Sequence, residues 1–117
     1  MQDIIKVIIK DPGEKARVKT MINSPKELQY EVGGLFKVLC LGSLVGILII
    51  VNKEGNLKEL GLNFPLGNGF IVGSAVFVGA DEGEAAGGLR GLTEAEVEIV
   101  FKIIDGDEQY KNLKSLV

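Results

Sequence analysis

The chain has 117 residues, 46% of them apolar and 25% charged, with a formal net charge of -3. That length and apolar content describe one globular domain able to fold without metals or disulfides, and exclude intrinsic disorder. Cys40 is the only cysteine and there is no histidine, which excludes an intramolecular disulfide, Ser-His-Asp and Cys-His catalysis, and nearly every zinc site.

The first residues, "MQDIIKVIIKD", interleave charges with apolar residues. No signal-peptide core or targeting segment fits that pattern, so a cytoplasmic protein is expected. "DIIKVIIK" alternates as a strand, with Ile5, Val7 and Ile9 on one face and Lys6 and Lys10 on the other. Asp11-Pro12-Gly13-Glu14 places proline and glycine where a type II turn needs them. The returning strand "KARVKTMI" turns Ala16, Val18, Thr20 and Ile22 one way and Lys15, Arg17 and Lys19 the other. The expected product is a hairpin whose outer face is basic. Ser24-Pro25-Lys26-Glu27 is a capping box with proline at the first helical position, and Gly33-Gly34 stops the short helix it opens.

The least polar stretch is "VLCLGSLVGILIIVNKEG", Val38 to Gly55. A spanning helix needs about 20 apolar residues, and this run is closed by Lys37 and by Asn52-Lys53-Glu54-Gly55 well short of that. Gly42-Ser43 sits where a turn would sit, and "ILIIV" is β-branched with no polar face. A buried hairpin is expected, Leu35–Leu41 up and Val45–Asn52 down. "GNLKELGLNFPLGNG" is an irregular connection, and "FIVGSAVFVGA" is a strand apolar on both faces, therefore central, with Gly73 at a bulge or a close approach. After the loop "ADEGEAAGGLRG", Thr93-Glu94-Ala95-Glu96 caps a helix to about Ile104. Its buried stripe is Val97, Val100, Phe101 and Ile104, with Glu94 and Glu98 outside. Asp105-Gly106 ends it, and a last short helix would align Tyr110, Leu113 and Leu116.

The order is β-β-α-β-β-β-α. It describes the α+β class: a mainly antiparallel sheet of about five strands with helices on one face, as one domain over residues 1–117.

Four groups are candidates for chemistry. "GNGFIVG" has the wrong glycine spacing for a dinucleotide fingerprint and precedes a strand, so a plain turn is favoured. The carboxylates Asp81, Glu82 and Glu84 lie on a loop, and Glu94, Glu96 and Glu98 line a solvated helix start, with Glu96 used as a cap. Lys6, Lys10, Lys15, Arg17 and Lys19 could grip phosphates, although no aromatic residue accompanies them to stack on bases. Lysines also protect exposed strand edges. Asn52, Glu54, Asn63 and Asn68 gather at turns leaving the core strands. Asparagine there usually serves the backbone; the functional alternative is a polar rim around a small pocket at the sheet end.

"IIKVIIKDPGEKARVKTM", "SPKELQYEVGGLFKVLCL", "ILIIVNKEGNLKELGLN", "FIVGSAVFVGADEGE" and "LTEAEVEIV" follow one another in an order that resembles the Domain of Unknown Function 3846 family. The resemblance runs from about Ile4 to Val100. Its most specific points are Val32-Gly33-Gly34, Asn52-Lys53-Glu54-Gly55, Asn63, and Val72-Gly73 with Asp81. Gly42-Ser43 departs from it where relatives carry a proline or aspartate turn. The family resembles small proteins of phages, plasmids and conjugative elements, which implies an accessory role, with counter-defence as one such task, and carries no catalytic residues over.

Four expectations follow. The chain is a non-enzymatic binding protein with no cofactor and no metal, its ligand a host protein or a small signal molecule. The alternative is a nucleic-acid-binding module using Lys6, Lys15, Arg17 and Lys19, and an enzyme built on carboxylates and asparagines stays open behind it. The balance of nine Lys/Arg to six Asp/Glu in residues 1–58, against four to ten in 59–117, favours self-association. The stripe of Tyr110, Leu113 and Leu116 should either fold back on the sheet or meet its copy on a second chain; a homodimer with residues 107–117 at its interface is expected, and no membrane contact.

Overall fold

The computed structural model describes residues 3–41, 44–55, 58–67, 69–81 and 88–110. Strand β1 (Ile4–Lys10) pairs antiparallel with β2 (Arg17–Ile22), Ile4 facing Ile22 and Ile9 facing Arg17. The turn between them is type II. Glu14 N–H donates to Asp11 O at 3.1 Å, and Gly13 takes the positive φ of 77° that the third turn position demands. Helix α1 (Pro25–Val32) is capped by the Ser24 hydroxyl, which accepts from the Glu27 amide, and stops at Gly33 with φ of 80°.

Strands β3 (Phe36–Leu41) and β4 (Leu44–Asn52) pair antiparallel. The apolar stretch that posed the membrane question is therefore a hairpin. Its Gly42-Ser43 turn lies outside the described residues, among which no helix is long and apolar enough to cross a membrane.

Next come β5 (Leu62–Leu66) and β6 (Gly69–Val72), a two-stranded hairpin of their own, then β7 (Ala75–Asp81), β8 (Gly88–Arg90) and helix α2 (Glu94–Ile104). The main sheet runs β2-β1-β7-β4-β3, with β8 paired to the outer half of β7. All of these pairings are antiparallel, and β7 is central as expected.

"FIVGSAVFVGA" is two strands and not one. Gly73, at φ of 77°, breaks it, so that β6 pairs with β5 and β7 enters the main sheet. Leu60 packs so closely over Gly73 that a Cβ there would meet it at 3.1 Å. The expected irregular connection thus contains β5, which Pro65 and neighbouring glycines disguise in sequence.

Strand alternation sends side chains to two apolar layers. Leu28 and Val32 of α1 cover Ile5, Val7, Ile9, Ile50, Val76 and Val78. Val100 and Ile103 of α2, with Phe64, Leu66 and Ile71 of the β5–β6 hairpin, cover Ile8, Ile47, Ile49, Val51, Ala75 and Phe77. The α+β class holds, but the helices sit on opposite faces, which corrects the one-face expectation. Burial on both faces is why β4 and β7 read as near-continuous apolar runs. In α2 the fully buried pair is Val100 and Ile103, with Val97, Phe101 and Ile104 half-buried, a small rotation of the expected stripe. Beyond α2 the described residues include a 3-10 turn, Glu108–Tyr110. Leu113 and Leu116 lie outside the described residues.

Candidate functional site

The carboxy-terminal ends of β1 and β4, the start of β7 and the end of α1 converge at one end of the sheet. The type II turn after β1 presents Asp11 there. Asp11 Oδ1 accepts from the Ser74 hydroxyl at 2.5 Å and Oδ2 accepts from Arg17 Nη1 at 2.9 Å. The Ser74 hydrogen bond above all, opposed by burial and helped by the Arg17 guanidinium, holds the Asp11 carboxyl below the usual aspartate range.

Two of the predicted asparagines build this end. Asn52 is almost fully buried; its amide donates to Val32 O at 3.0 Å and its Oδ1 accepts from the Glu54 amide at 2.7 Å. It therefore satisfies a terminal carbonyl of α1 and closes the turn after β4. Asn63 donates to Lys10 O at 2.7 Å and Gly73 O at 2.8 Å, and accepts from Lys10 Nζ at 3.0 Å. It staples β5 to β1 and to the break before β7. Glu54 is exposed, its carboxylate 3.9 Å from Lys58 Nζ. Asn68 lies outside the described residues.

Between these supports lies a cleft of about 260 Å³ lined by Pro12, Tyr30, Glu31, Val32, Gly33, Leu60, Gly73 and Ser74. A cleft does lie at this end of the sheet, but Asn52 and Asn63 brace its wall from behind and do not line it; both serve backbone groups. Tyr30 stands 80% exposed on its rim and Leu60 37%, while Leu35 and Leu62, two residues beyond Gly33 and Leu60, are 58% and 64% exposed. A second cleft, about 220 Å³, lies between the β5–β6 hairpin and the end of α2, lined by Pro65, Leu66, Ile103 and Tyr110 among others.

The basic residues are not gathered on one face, which corrects that expectation. The β1–β2 register sets Lys6 opposite Thr20 and Val7 opposite Lys19. Since cross-strand partners point to the same side, Lys6 and Lys10 lie on the α2 side of the sheet while Arg17 and Lys19 lie on the α1 side. Their charges are also engaged. Lys6 binds Glu94 at 2.7 Å, Arg17 binds Asp11, and Lys19 binds Glu31 at 2.6 Å. Lys15 is exposed in the turn before β2. Lys6 holds the Glu94 carboxyl below its ordinary value.

Tyr30, Glu31, Leu60 and Ser74 were not singled out in the sequence. One signal for Tyr30 was present: Leu28 and Val32, four apart, fix the buried face of α1 and leave an aromatic residue among Gln29 and Glu31 on the wet side. Nothing local marks Leu60 or Ser74, because only the break at Gly73 brings them to α1.

Residues 5–103 match the model of a family described as Domain of unknown function (DUF3846). No curated protein and no solved structure matches the chain.

Proposed function

The chain belongs to the family described as Domain of unknown function (DUF3846), and from that premise we propose that it is a non-catalytic binding protein docking a host protein through the sheet-end cleft. The observation that carries this reading is the exposed apolar rim of a shallow cleft, Tyr30 with Leu60; Leu35 and Leu62, each two residues along the chain from a lining residue, are exposed as well. Exposed apolar side chains around a cleft mark interaction sites. Its volume, about 260 Å³, falls below the roughly 300–1,000 Å³ that encloses a small-molecule ligand. It suits one protruding side chain of a protein better than a small signal molecule.

Catalysis draws less support. The carboxylates beside the cleft are committed, Asp11 to Ser74 and Arg17, Glu31 to Lys19. Asp11, held at low pKa by its donors, is also a weak base at neutral pH. The nucleic-acid reading loses support from the splitting and pairing of the basic residues, because each paired cation must break a contact before it binds phosphate.

The family resemblance supports the wider setting of the proposal: a cytoplasmic accessory protein of a mobile element, with counter-defence as its task. Homodimerisation through residues 107–117 belongs to the same proposal, and sedimentation of a chain truncated after Asp105 checks it. The docking claim is tested by affinity capture from lysate of the natural host with the intact chain and with a Tyr30→Asp/Leu60→Asp variant. Tyr30 is 80% exposed, while Leu60, 37% exposed, also packs over Gly73, so circular dichroism of the variant and a Tyr30→Asp single variant accompany the capture. Loss of specific captured proteins with the variant supports the cleft; an unchanged set contradicts it.

A further inference from the structure

The hydrogen-bonding inventory of the cleft is lopsided. Pro12 has no N–H. The amides of Tyr30, Glu31 and Val32 lie inside α1 and are spent on the helix ladder. Gly33 N–H donates to Gln29 O at 2.9 Å, Leu60 N–H to Gly55 O at 3.2 Å, and Gly73 N–H to Gly61 O at 2.8 Å. The Ser74 hydroxyl gives its proton to the ionised Asp11 carboxylate, which can only accept. Besides the Tyr30 hydroxyl, which can donate or accept, and the Ser74 amide, the groups left over are acceptors. Ser74 Oγ keeps lone pairs. Glu31 pairs with Lys19 through Oε1 alone, and among the described residues Oε2 has no protein hydrogen bond. The Glu31 side chain is only 9% exposed, but no side-chain oxygen among the described residues is buried without a partner, so Oε2 keeps an edge in contact with solvent.

Among the described residues Glu31 is also the only charged one in the lining, and Tyr30 beside it offers an exposed ring. Apolar walls, surplus acceptors, one carboxylate and an aromatic face together suit an aliphatic stem ending in a cation. Resting on the docking proposal above, we infer that the cleft receives a basic side chain, arginine or lysine, projecting from the partner protein. Its stem lies along Leu60 and Pro12, and its cationic head meets Glu31 Oε2 and the Tyr30 ring. Lys19 and Arg17 each neutralise one carboxylate, Glu31 and Asp11, from outside the lining, so recognition comes from aimed acceptors and not from a net negative field.

The test titrates the isotopically labelled full chain with three probes that share the same blocked termini: N-acetyl-arginine amide, N-acetyl-citrulline amide and N-acetyl-leucine amide. Citrulline keeps donors and loses the charge. Amide shifts at Tyr30, Gly33, Gly73 and Ser74 should saturate with arginine at about tenfold lower concentration than with either neutral probe. Glu31→Gln should remove that preference. Because Glu31→Gln also weakens the tie to Lys19, Tyr30→Leu provides a second variant on an exposed position and should reduce the preference with Glu31 intact. Leucine binding as well as arginine overturns the cation inference and leaves the docking site standing. Citrulline equal to arginine overturns the requirement for charge in the same way. No shift with any probe overturns the inference and the cleft together.

Discussion

The guanidinium of Arg90 lies directly across Gly79. A Cβ on Gly79 would stand 2.8 Å from Arg90 Cζ and 2.9 Å from its Cγ, and would overlap Nη1. The same guanidinium holds Glu96 of α2 in two bonds, Nη1 to Oε1 at 2.7 Å and Nη2 to Oε2 at 2.9 Å. Glycine on β7 is therefore needed for space, so that β8 can carry an arginine over the sheet to anchor the start of α2. Gly79→Ala should destabilise the fold by about 1–3 kcal/mol, the usual cost of forced overpacking. In an Arg90→Ala background the same change should cost much less, since its obstacle has gone. Urea unfolding of the two single variants and the double variant checks this; additive losses would show that the two residues do not compete for the space.

Asn52 is predicted to matter for stability. Replacing it by alanine leaves the Val32 carbonyl and the Glu54 amide without their partner in a nearly solvent-free position. A loss of about 1–3 kcal/mol is expected from stranded polar groups. Asn63→Ala removes a staple that is only part-buried, and should cost less because water can replace some of its bonds. Equal and negligible losses would contradict the supporting role assigned to both.

The architecture was legible in sequence where one local rule decided the outcome. The turn at Pro12-Gly13, the caps at Ser24 and Thr93, the stop at Gly33 and the β3–β4 hairpin all follow from side-chain chemistry within a few residues. What escaped depended on register or on distant packing. Whether Lys6 joins Arg17 on one face is fixed by the pairing of Lys6 with Thr20, which a strand's own alternation does not reveal. The opposite placement of α1 and α2 follows from which parity of β4 and β7 each helix covers, and both parities are apolar. The asparagines at the sheet end serve backbone groups, the reading their place at turns favours, and they stand behind the cleft and not in its lining. Its lining comes from four separate segments.

Capping offers a narrower check. Thr93 and Glu96 form a reciprocal box, the hydroxyl accepting from the Glu96 amide at 3.2 Å and the Glu96 carboxylate from the Thr93 amide at 2.9 Å. Thr93→Ala should cost about 1 kcal/mol. An unchanged denaturation midpoint would mean that α2 does not depend on this cap.

Acid should unfold the protein through a small set of carboxylates. Asp11 is held low by Ser74 and then Arg17, Glu96 by Arg90 and then the Thr93 amide, and Glu94 by Lys6. Each folded pKa lies below its unfolded counterpart. The stability they contribute is therefore complete above the unfolded values, about 3.9 for Asp and 4.3 for Glu, and is lost as pH falls from there through the folded values. Urea midpoints should stay level from pH 7 to about pH 5 and drop below about pH 4. Glu96→Gln should make that drop shallower; an identical slope would remove Glu96 from the set.

The account turns on the sheet-end cleft being the face that meets another protein, and site-specific photo-crosslinking tests that most directly. A photoreactive residue is placed at position 60, on the cleft rim, or at position 15, on the exposed turn before β2, and each protein is irradiated in lysate of the natural host. The cleft account predicts a discrete adduct from position 60 that disappears when Tyr30→Asp is added, with none from position 15. The same adducts from both positions, or an adduct from position 60 that survives Tyr30→Asp, would contradict it.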